Sequence, residues 1–236
     1  MNNFTVDSKL RDFLTIVYYS SSRERPEFEK KIIDRLKESC GDLPIISVTQ
    51  KPLDLGKNIS VGDVGLSYLN EWRQILIGAK EAQTPFIIFA ESDFLYPTEY
   101  FKFVPPKKGL WRYDNIWVVF KDTQIAGSFR RKSYSEGAQI WDKESLIATY
   151  EKYLGDKPQW ADRRDFLPNK NGEDDSWIIH DMPFDFFEGA TPCVTFKTGE
   201  GMRARTNVFN KGFSDNRKMS LPYWGNVDDL RAKYLI

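Results

Sequence analysis

The sequence has little of what several protein classes need. It holds one histidine and two cysteines in 236 residues. Cys40 and Cys193 lie far apart and neither stands in a CxxC spacing, which excludes a disulfide framework and a thiolate zinc site and fits a reducing, cytoplasmic setting. The longest apolar runs, such as residues 85–90 (PFIIFA), fall far short of the roughly 18 residues of a membrane span, so no membrane partner is expected. The opening MNNFTVDSKLRDF mixes charges ahead of any apolar stretch and does not read as a secretory signal. Net charge is absent as well, 34 basic side chains cancelling 34 acidic ones. That excludes binding nucleic acid or anionic membrane through a bulk excess of cations, because that mode works by displacing counterions. A zero sum still leaves local clusters open. Low-complexity segments and fixed-period repeats are also missing.

Aromatic residues are plentiful instead, at 15% of the chain with 7 Trp, 11 Tyr and 17 Phe. Most such rings go to a core, and the rarer alternative is a stacking surface for sugars or bases. The length suits one large domain with a core that needs no staple.

Residues 14–20 (LTIVYYS) read as a buried strand, ending in the polar loop SSSRER. Pro26 then fits a first helical turn, and Phe28, Ile32, Ile33 and Leu36 recur at helical spacing up to Gly41. Residues 43–49 (LPIISVT) read as a second strand, followed by the turn-rich loop QKPLDLGKNISVGDVG. Leu66, Leu69, Trp72, Ile75, Leu76 and Ala79 trace a helix face that Thr84-Pro85 closes, and residues 85–90 form a third strand running into Glu91-Ser92-Asp93. In the second half, residues 111–121 and 125–130 read as strands, 143–154 as a helix and 193–197 as a strand. Strand and helix in alternation imply a mixed, mostly parallel sheet flanked by helices, with right-handed crossovers. The expected layout is a single domain, 1–236, whose residues 1–105 bind a nucleotide and whose residues 106–236 complete the sheet and shape an acceptor pocket.

In such sheets ligands sit beyond the carboxyl ends of the strands. Ser20 to Arg23, Gln50 with Lys51, and Glu91 to Asp93 therefore converge. Two carboxylates two residues apart at a strand end suit a divalent cation that neutralises a pyrophosphate leaving group; the plainer reading is a pair of solvated turn acids. His180 beside Asp181 suggests a carboxylate-oriented base, though a structural histidine is commoner. Gly172-Glu173-Asp174-Asp175 suits either a catalytic carboxylate or a solvated helix start. Basic clusters at Lys107-Lys108, Arg130-Arg131-Lys132, Arg163-Arg164, Arg203 with Arg205, and Arg217-Lys218 suit phosphates of a nucleic-acid acceptor, or simply solvated faces.

A strand, a long loop, a helix carrying Asn70-Glu71-Trp72-Arg73-Gln74, another strand and an acidic triplet together resemble the nucleotide-sugar half of GT-A glycosyltransferases, especially family-2-like ones. Gly65 and Arg73-Gln74 take the places of that family's Gly and Arg-Asn pair, and Glu91-Ser92-Asp93 stands for its DxD. More narrowly, SVTQKPLDLGKN, GLSYLNEWRQILIGAKEA, AESDFLYP and LPYWG are similar to a set of small glycosyltransferase-like proteins frequent in phage and environmental sequences. The resemblance implies a GT-A-like (Rossmann-like) fold and transfer of a sugar from a nucleotide diphosphate sugar, such as a UDP-sugar, to a hydroxyl acceptor, a glycan or a hydroxymethylated base in phage DNA. It implies that Ser20, Ser21, Arg23, Gln50, Gly65 and Ser92 meet the nucleotide sugar and that Lys51, Lys57 and Arg73 face the diphosphate. Glu91 and Asp93 would hold Mn or Mg, and Asp174 or Asp175 would act as base. The chain departs from the family in opening its triplet with Glu91 and in carrying Lys and Thr at residues 194–199, where many members place a metal-binding histidine. A lysine there, or Arg203, is the alternative source of positive charge. Nucleotidyl transfer and a non-catalytic binding module are the rival readings; SSSRER lacks the glycines of a nucleotidyltransferase phosphate loop.

Overall fold

The computed structural model describes residues 8–121, 127–161, 182–201 and 213–236. Its centre is β1 (Leu14–Ser20), buried along its whole length. β2 (Ile45–Thr49) and β4 (Phe86–Glu91) pair with β1 in parallel, one on each side. Strand alternation then places the helices. Leu14, Ile16 and Tyr18 pack in the same cluster as Ile33, Leu36 and Cys40 of α2 (Pro26–Cys40), after a short α1 (Ser8–Arg11). Val17 and Tyr19 pack instead with Leu69, Trp72, Ile75 and Leu76 of α3 (Tyr68–Glu81). The two helices thus cover opposite faces, as right-handed crossovers running in opposite directions from β1 require.

Both helices start where the sequence places them. Pro26 opens α2 with no side-chain cap, and Gly41 closes it at φ +61°, a region that suits glycine. Ser67 caps α3 by accepting from the Asn70 N–H at 3.1 Å. The segment 50–65, expected as loop, contains β3 (Lys57–Ser60), paired in parallel with β2. KNIS has no apolar alternation to announce it. Asn58 holds it in place, its amide donating to Ser47 O at 3.2 Å and to Thr49 Oγ1 at 3.0 Å.

The remaining strands of this sheet are β6 (Leu110–Tyr113), β9 (Gln139–Asp142) and β10 (Phe184–Phe187), giving the order β10-β6-β9-β4-β1-β2-β3. α4 (Lys143–Leu154) packs beside α3 and is capped by Asp142, which accepts from Ser145 N–H at 3.0 Å. The sheet is mixed and mostly parallel, flanked by helices, as expected.

The second half does more than complete it. β5 (Phe94–Leu95), β7 (Ile116–Phe120), β8 (Phe129–Lys132), β11 (Cys193–Lys197) and β12 (Phe213–Lys218) form a second sheet, ordered β12-β8-β7-β11-β5. Residues 111–121, expected as one strand, break at Asp114-Asn115 and divide between the two sheets. Side-chain and backbone bonds from this pair explain the break: Asn115 Nδ2 donates to Gly189 O at 2.8 Å, and its Oδ1 accepts from Trp117 Nε1 at 3.0 Å. A small hairpin of β13 (Ser220–Leu221) and β14 (Gly225–Asn226) leads into α5 (Val227–Leu235), whose Leu230 and Tyr234 cover the second sheet with Phe28 and Ile32 of α2.

Among the described residues most of the aromatic rings are core. Tyr96, Tyr100, Phe101, Tyr113 and Phe187 stack in a buried cluster under the junction of the sheets, with Tyr100 and Tyr96 ring centroids 4.8 Å apart. Polar ends are satisfied there, Tyr100 donating to Phe89 O at 3.0 Å and Tyr96 to Gly137 O at 2.5 Å.

α3 lies so close to the sheet that a Cβ on Gly78 would stand 2.6 Å from Val17 Cγ1 and 3.3 Å from Val48 Cγ2. Alanine there gains about 1 kcal/mol of helix propensity but must push the helix off a buried sheet, an overpacking cost of about 1–3 kcal/mol. Gly78→Ala is expected to lower the urea midpoint; a raised midpoint would show that the helix rides free of β1 and β2.

Candidate active site

A half-open cleft of about 150 Å³ lies over the carboxyl ends of β1, β2 and β4, where the chain's direction of winding reverses between β1 and β4. One wall is the segment 65–68 leading into α3; the other comes from β8, the turn after it, and β11. Of the residues expected at the nucleotide sugar, Ser20, Ser21, Gln50, Gly65 and Ser92 line this cleft, together with Glu91 and Asp93.

Local bonds fix their positions. Ser20 donates its hydroxyl to Glu29 Oε1 and accepts from Ser22 N–H at 3.0 Å, holding Ser22 in the left-handed region at φ +55°. Gln74 donates to both Ser20 O at 2.9 Å and Val48 O at 2.8 Å, clamping the ends of β1 and β2 together. Gln50 is buried; its amide N donates to Gly65 O at 2.6 Å while its Oε1 has no partner among the described residues.

The acidic triplet crosses from one sheet to the other. Glu91 ends β4, and its Oε1 accepts the Tyr19 hydroxyl at 2.7 Å. Gly137 leaves it room, since a Cβ there would lie 2.5 Å from the Glu91 carboxylate. Burial first, and Asp93 second, push Glu91 up to about 7, against the pull of Lys197 and of the Tyr19 hydrogen bond. Asp93 O accepts from Phe196 N–H at 2.8 Å, which ties the triplet to β11. The Asp93 carboxylate meets Lys197, Nζ lying 3.2 Å from Oδ2, and its Oδ1 has no partner among the described residues.

Several expected residues stand elsewhere. Arg23 is held by Asp63 at the rim and does not line the cleft. Lys51 is exposed, its backbone N–H donating to Ser22 Oγ at 3.1 Å. Lys57 lies on β3 and pairs with Glu81 at 2.5 Å. Arg73 corrects the expectation of a diphosphate-facing cation: its guanidinium donates to Leu154 O at 2.6 Å and Lys157 O at 3.0 Å, the carbonyls at the end of α4. Arg73 stands one residue, about 100° of helix rotation, away from Gln74 and does not line the cleft, and free carbonyls at a helix end attract a cation. Asp174, Asp175, His180, Arg163 and Arg203 lie outside the described residues.

Other groups line the cleft beside the expected nucleotide-sugar and metal residues: Glu24, Glu71, Glu136, Lys132, Thr198 and Lys197, the lysine of residues 194–199 that the sequence offers as an alternative source of charge. Glu24 accepts the Thr198 hydroxyl at 2.8 Å. Burial, then the Asp93 charge, push its carboxyl up to about 7. In SSSRER it reads as one charge among several; only the packing of residues 198–201 over it sets it apart. Lys132 and Lys197 come from neighbouring parts of the second sheet, so nothing in the first-half pattern points to them.

The donor set bears on a divalent cation. Among the described residues no group of three or more His, Cys, Asp and Glu side chains converges as a metal site. Glu91 is hydrogen-bonded and held near neutrality, and Asp93 already faces an ammonium. As they stand these carboxylates leave Mn or Mg few free oxygens of the protein's own, and such an ion would draw its other ligands from substrate phosphates and water.

No protein-family model matches the sequence, and no curated protein matches it. Solved structures of similar shape include a glycosyltransferase involved in the glycosylation of the major capsid of PBCV-1, at 12% identity over 76% of this chain and 83% of that one, with a TM-score of 0.44. The inositol-1-phosphate CTP transferase from T. maritima aligns at 10% identity over 84% and 94%, with a TM-score of 0.48. CMP:2-keto-3-deoxy-manno-octonic acid synthetase in complex with CTP aligns at 12% over 82% and 93%, with a TM-score of 0.44.

A carboxyl raised from 4.5 to about 7 on folding stabilises the fold below the unfolded value and loses that contribution as pH rises through the folded one. Stability is therefore expected to fall between pH 4.5 and 7, with Glu24 contributing on the order of 3 kcal/mol of the fall. Denaturant titrations across this window should give a flatter profile for Glu24→Gln; an unchanged slope would remove the assigned shift. Arg73→Met is expected to cost about 1–2 kcal/mol of stability and to leave nucleotide affinity unchanged in calorimetry.

Proposed function

We propose that this protein is a glycosyltransferase that takes a sugar from a nucleotide diphosphate sugar, a UDP-sugar in the first instance, and passes it to a hydroxyl acceptor. The observation that carries the reading is the joining, in one cleft at the switch point of the large sheet, of strand-end acids, two lysines and small polar residues. Ser20, Ser21 and Gly65 leave room for a nucleotide to approach the backbone, and Gln50 offers an acceptor oxygen to a base. Lys132 and Lys197 supply positive charge for phosphate oxygens.

An alcohol needs a positioned base to attack the anomeric carbon. Asp174 and Asp175 retain that assignment from the sequence, and Glu24, poised near neutrality in the cleft, joins them. The acceptor is a hydroxyl compound that bears anionic groups, such as modified DNA. Support comes from β8 and β12: Arg130, itself buried, pairs across the strands with the exposed Arg217 and alternates with the half-buried Lys132, so the three lie on one face.

Nucleotidyl transfer is the weaker reading because the loop after β1 brings no cation to the cleft. Arg23 is engaged by Asp63, and Arg25 donates to Leu235 O. A triphosphate would find no basic loop there.

The test is product analysis. Incubation with UDP-, GDP-, CDP- and TDP-hexoses is expected to release the nucleoside diphosphate, even by slow hydrolysis. Nucleoside triphosphate with a sugar 1-phosphate is expected to give no pyrophosphate, and the opposite pattern would make the protein a nucleotidyltransferase. Among Glu24→Gln, Asp174→Asn and Asp175→Asn, loss of the base should cut kcat by about 100-fold or more while the donor KM holds.

A further inference from the structure

The Lys197–Asp93 pair decides how the cleft neutralises a diphosphate. Lys197 leaves β11 on the face that turns toward the large sheet, since Val194 and Phe196 point the other way into the core under α5. Its ammonium lies 3.2 Å from Asp93 Oδ2 and 3.4 Å from Thr195 Oγ1. Both side chains of the pair are mostly covered, at 21% and 20% exposure, so the charges are little screened by water. Glu24 and Glu91 stand close enough to feel the same ammonium. One lysine thus sits amid three carboxylates at the seam of the two sheets.

A divalent ion on Asp93 would have to share this space with Lys197. Two like charges a few ångströms apart in a partly dehydrated site repel strongly, so metal and ammonium are alternatives. The backbone favours the ammonium: Asp93 O is held by Phe196 N–H at 2.8 Å, which keeps the carboxylate and the lysine of β11 in register. Asp93 Oδ1 lacks a partner among the described residues, and an ammonium has three protons to distribute.

We propose that Lys197 is the cleft's own counterion for the diphosphate, held by Asp93 as a positioning residue, and that the nucleotide binds without a divalent metal. The inference rests on the nucleotide-diphosphate reading above. In it the ammonium donates to a phosphate oxygen while keeping or relaxing its contact with Asp93, and no bond is made or broken. Lys132 stands second in line on the same wall.

The experiment is calorimetric binding of UDP, GDP, CDP and TDP to the full chain, in EDTA and in Mn. The expected result is that at least one diphosphate binds in EDTA and that Mn changes its affinity by less than about twofold. Lys197→Met should weaken the diphosphate about tenfold or more and the matching nucleoside far less, with Lys197→Arg restoring much of the loss. Asp93→Asn keeps an amide oxygen that can accept from the Lys197 ammonium and so hold it in place, and removes a charge that repels phosphate, so it should tighten binding by about threefold. This variant serves if Lys197→Met fails to fold. Binding that appears only with Mn and is abolished by Asp93→Asn would overturn the inference and leave the nucleotide reading standing. Failure of every diphosphate to bind in both conditions would overturn the nucleotide reading itself, and this inference with it.

Discussion

The structure turns on a few residues in which one strand leaves one sheet and enters another. β4 pairs with β1 as far as Glu91, and by Phe94 the chain has joined β11 in the smaller sheet. The crossing must take place with its backbone satisfied, because unpaired peptide groups at a buried junction are costly. Tyr96 meets the Glu91 N–H at 3.0 Å, and Phe196 donates to Asp93 O. The stacked rings of Tyr96 and Tyr100 fill the space beneath. Because the crossing lies at the end of the central parallel strands, the two acids it carries are delivered to the place where such sheets bind ligands.

Burial and charge at the seam follow from that crossing. Glu91 is hemmed in by Tyr19 on one side and the bare backbone of Gly137 on the other, so its ionised form loses solvation. Glu24 is closed in by Thr198. Lys197 arrives from the second sheet and partly offsets all three acids. The zero net charge of the whole chain therefore conceals a local concentration of carboxylates around one ammonium. Elsewhere many basic side chains are committed: Lys107 and Lys108 pair with Asp185 and Glu144, and Arg73 closes a helix end.

How much of this was legible depended on how local each cause was. β1, α2, α3, β4 and α4 announce themselves through apolar periodicity, Pro26, Gly41 and Thr84-Pro85, all of which act within a turn or a strand. β3 did not, because KNIS is an edge strand held by Asn58 rather than by apolar alternation. The break at Asp114-Asn115 was hidden for a similar reason: its partners, Gly189 and Phe187, are more than seventy residues away. Ser20, Ser21 and Gln50 were readable as cleft residues because strand ends fix them, whereas Gly65 came from the family resemblance alone. Arg23 and Arg73 were not, since which way a long cation points depends on the carboxylate or carbonyl that captures it.

The sequence by itself determined the parallel half-sheet, the faces of its two covering helices, and the acids at the end of the third apolar run. Each of these follows from short-range periodicity and from residue types with one strong backbone preference. Only the tertiary structure decided what those acids face. That Lys197 meets Asp93 and that Thr198 covers Glu24 depend on contacts between residues 104 and 174 apart in the chain, and the second sheet joins β11 to β7 and β5, and β12 to β8, across more than seventy residues. Such pairings are set by packing and desolvation, which no local pattern records.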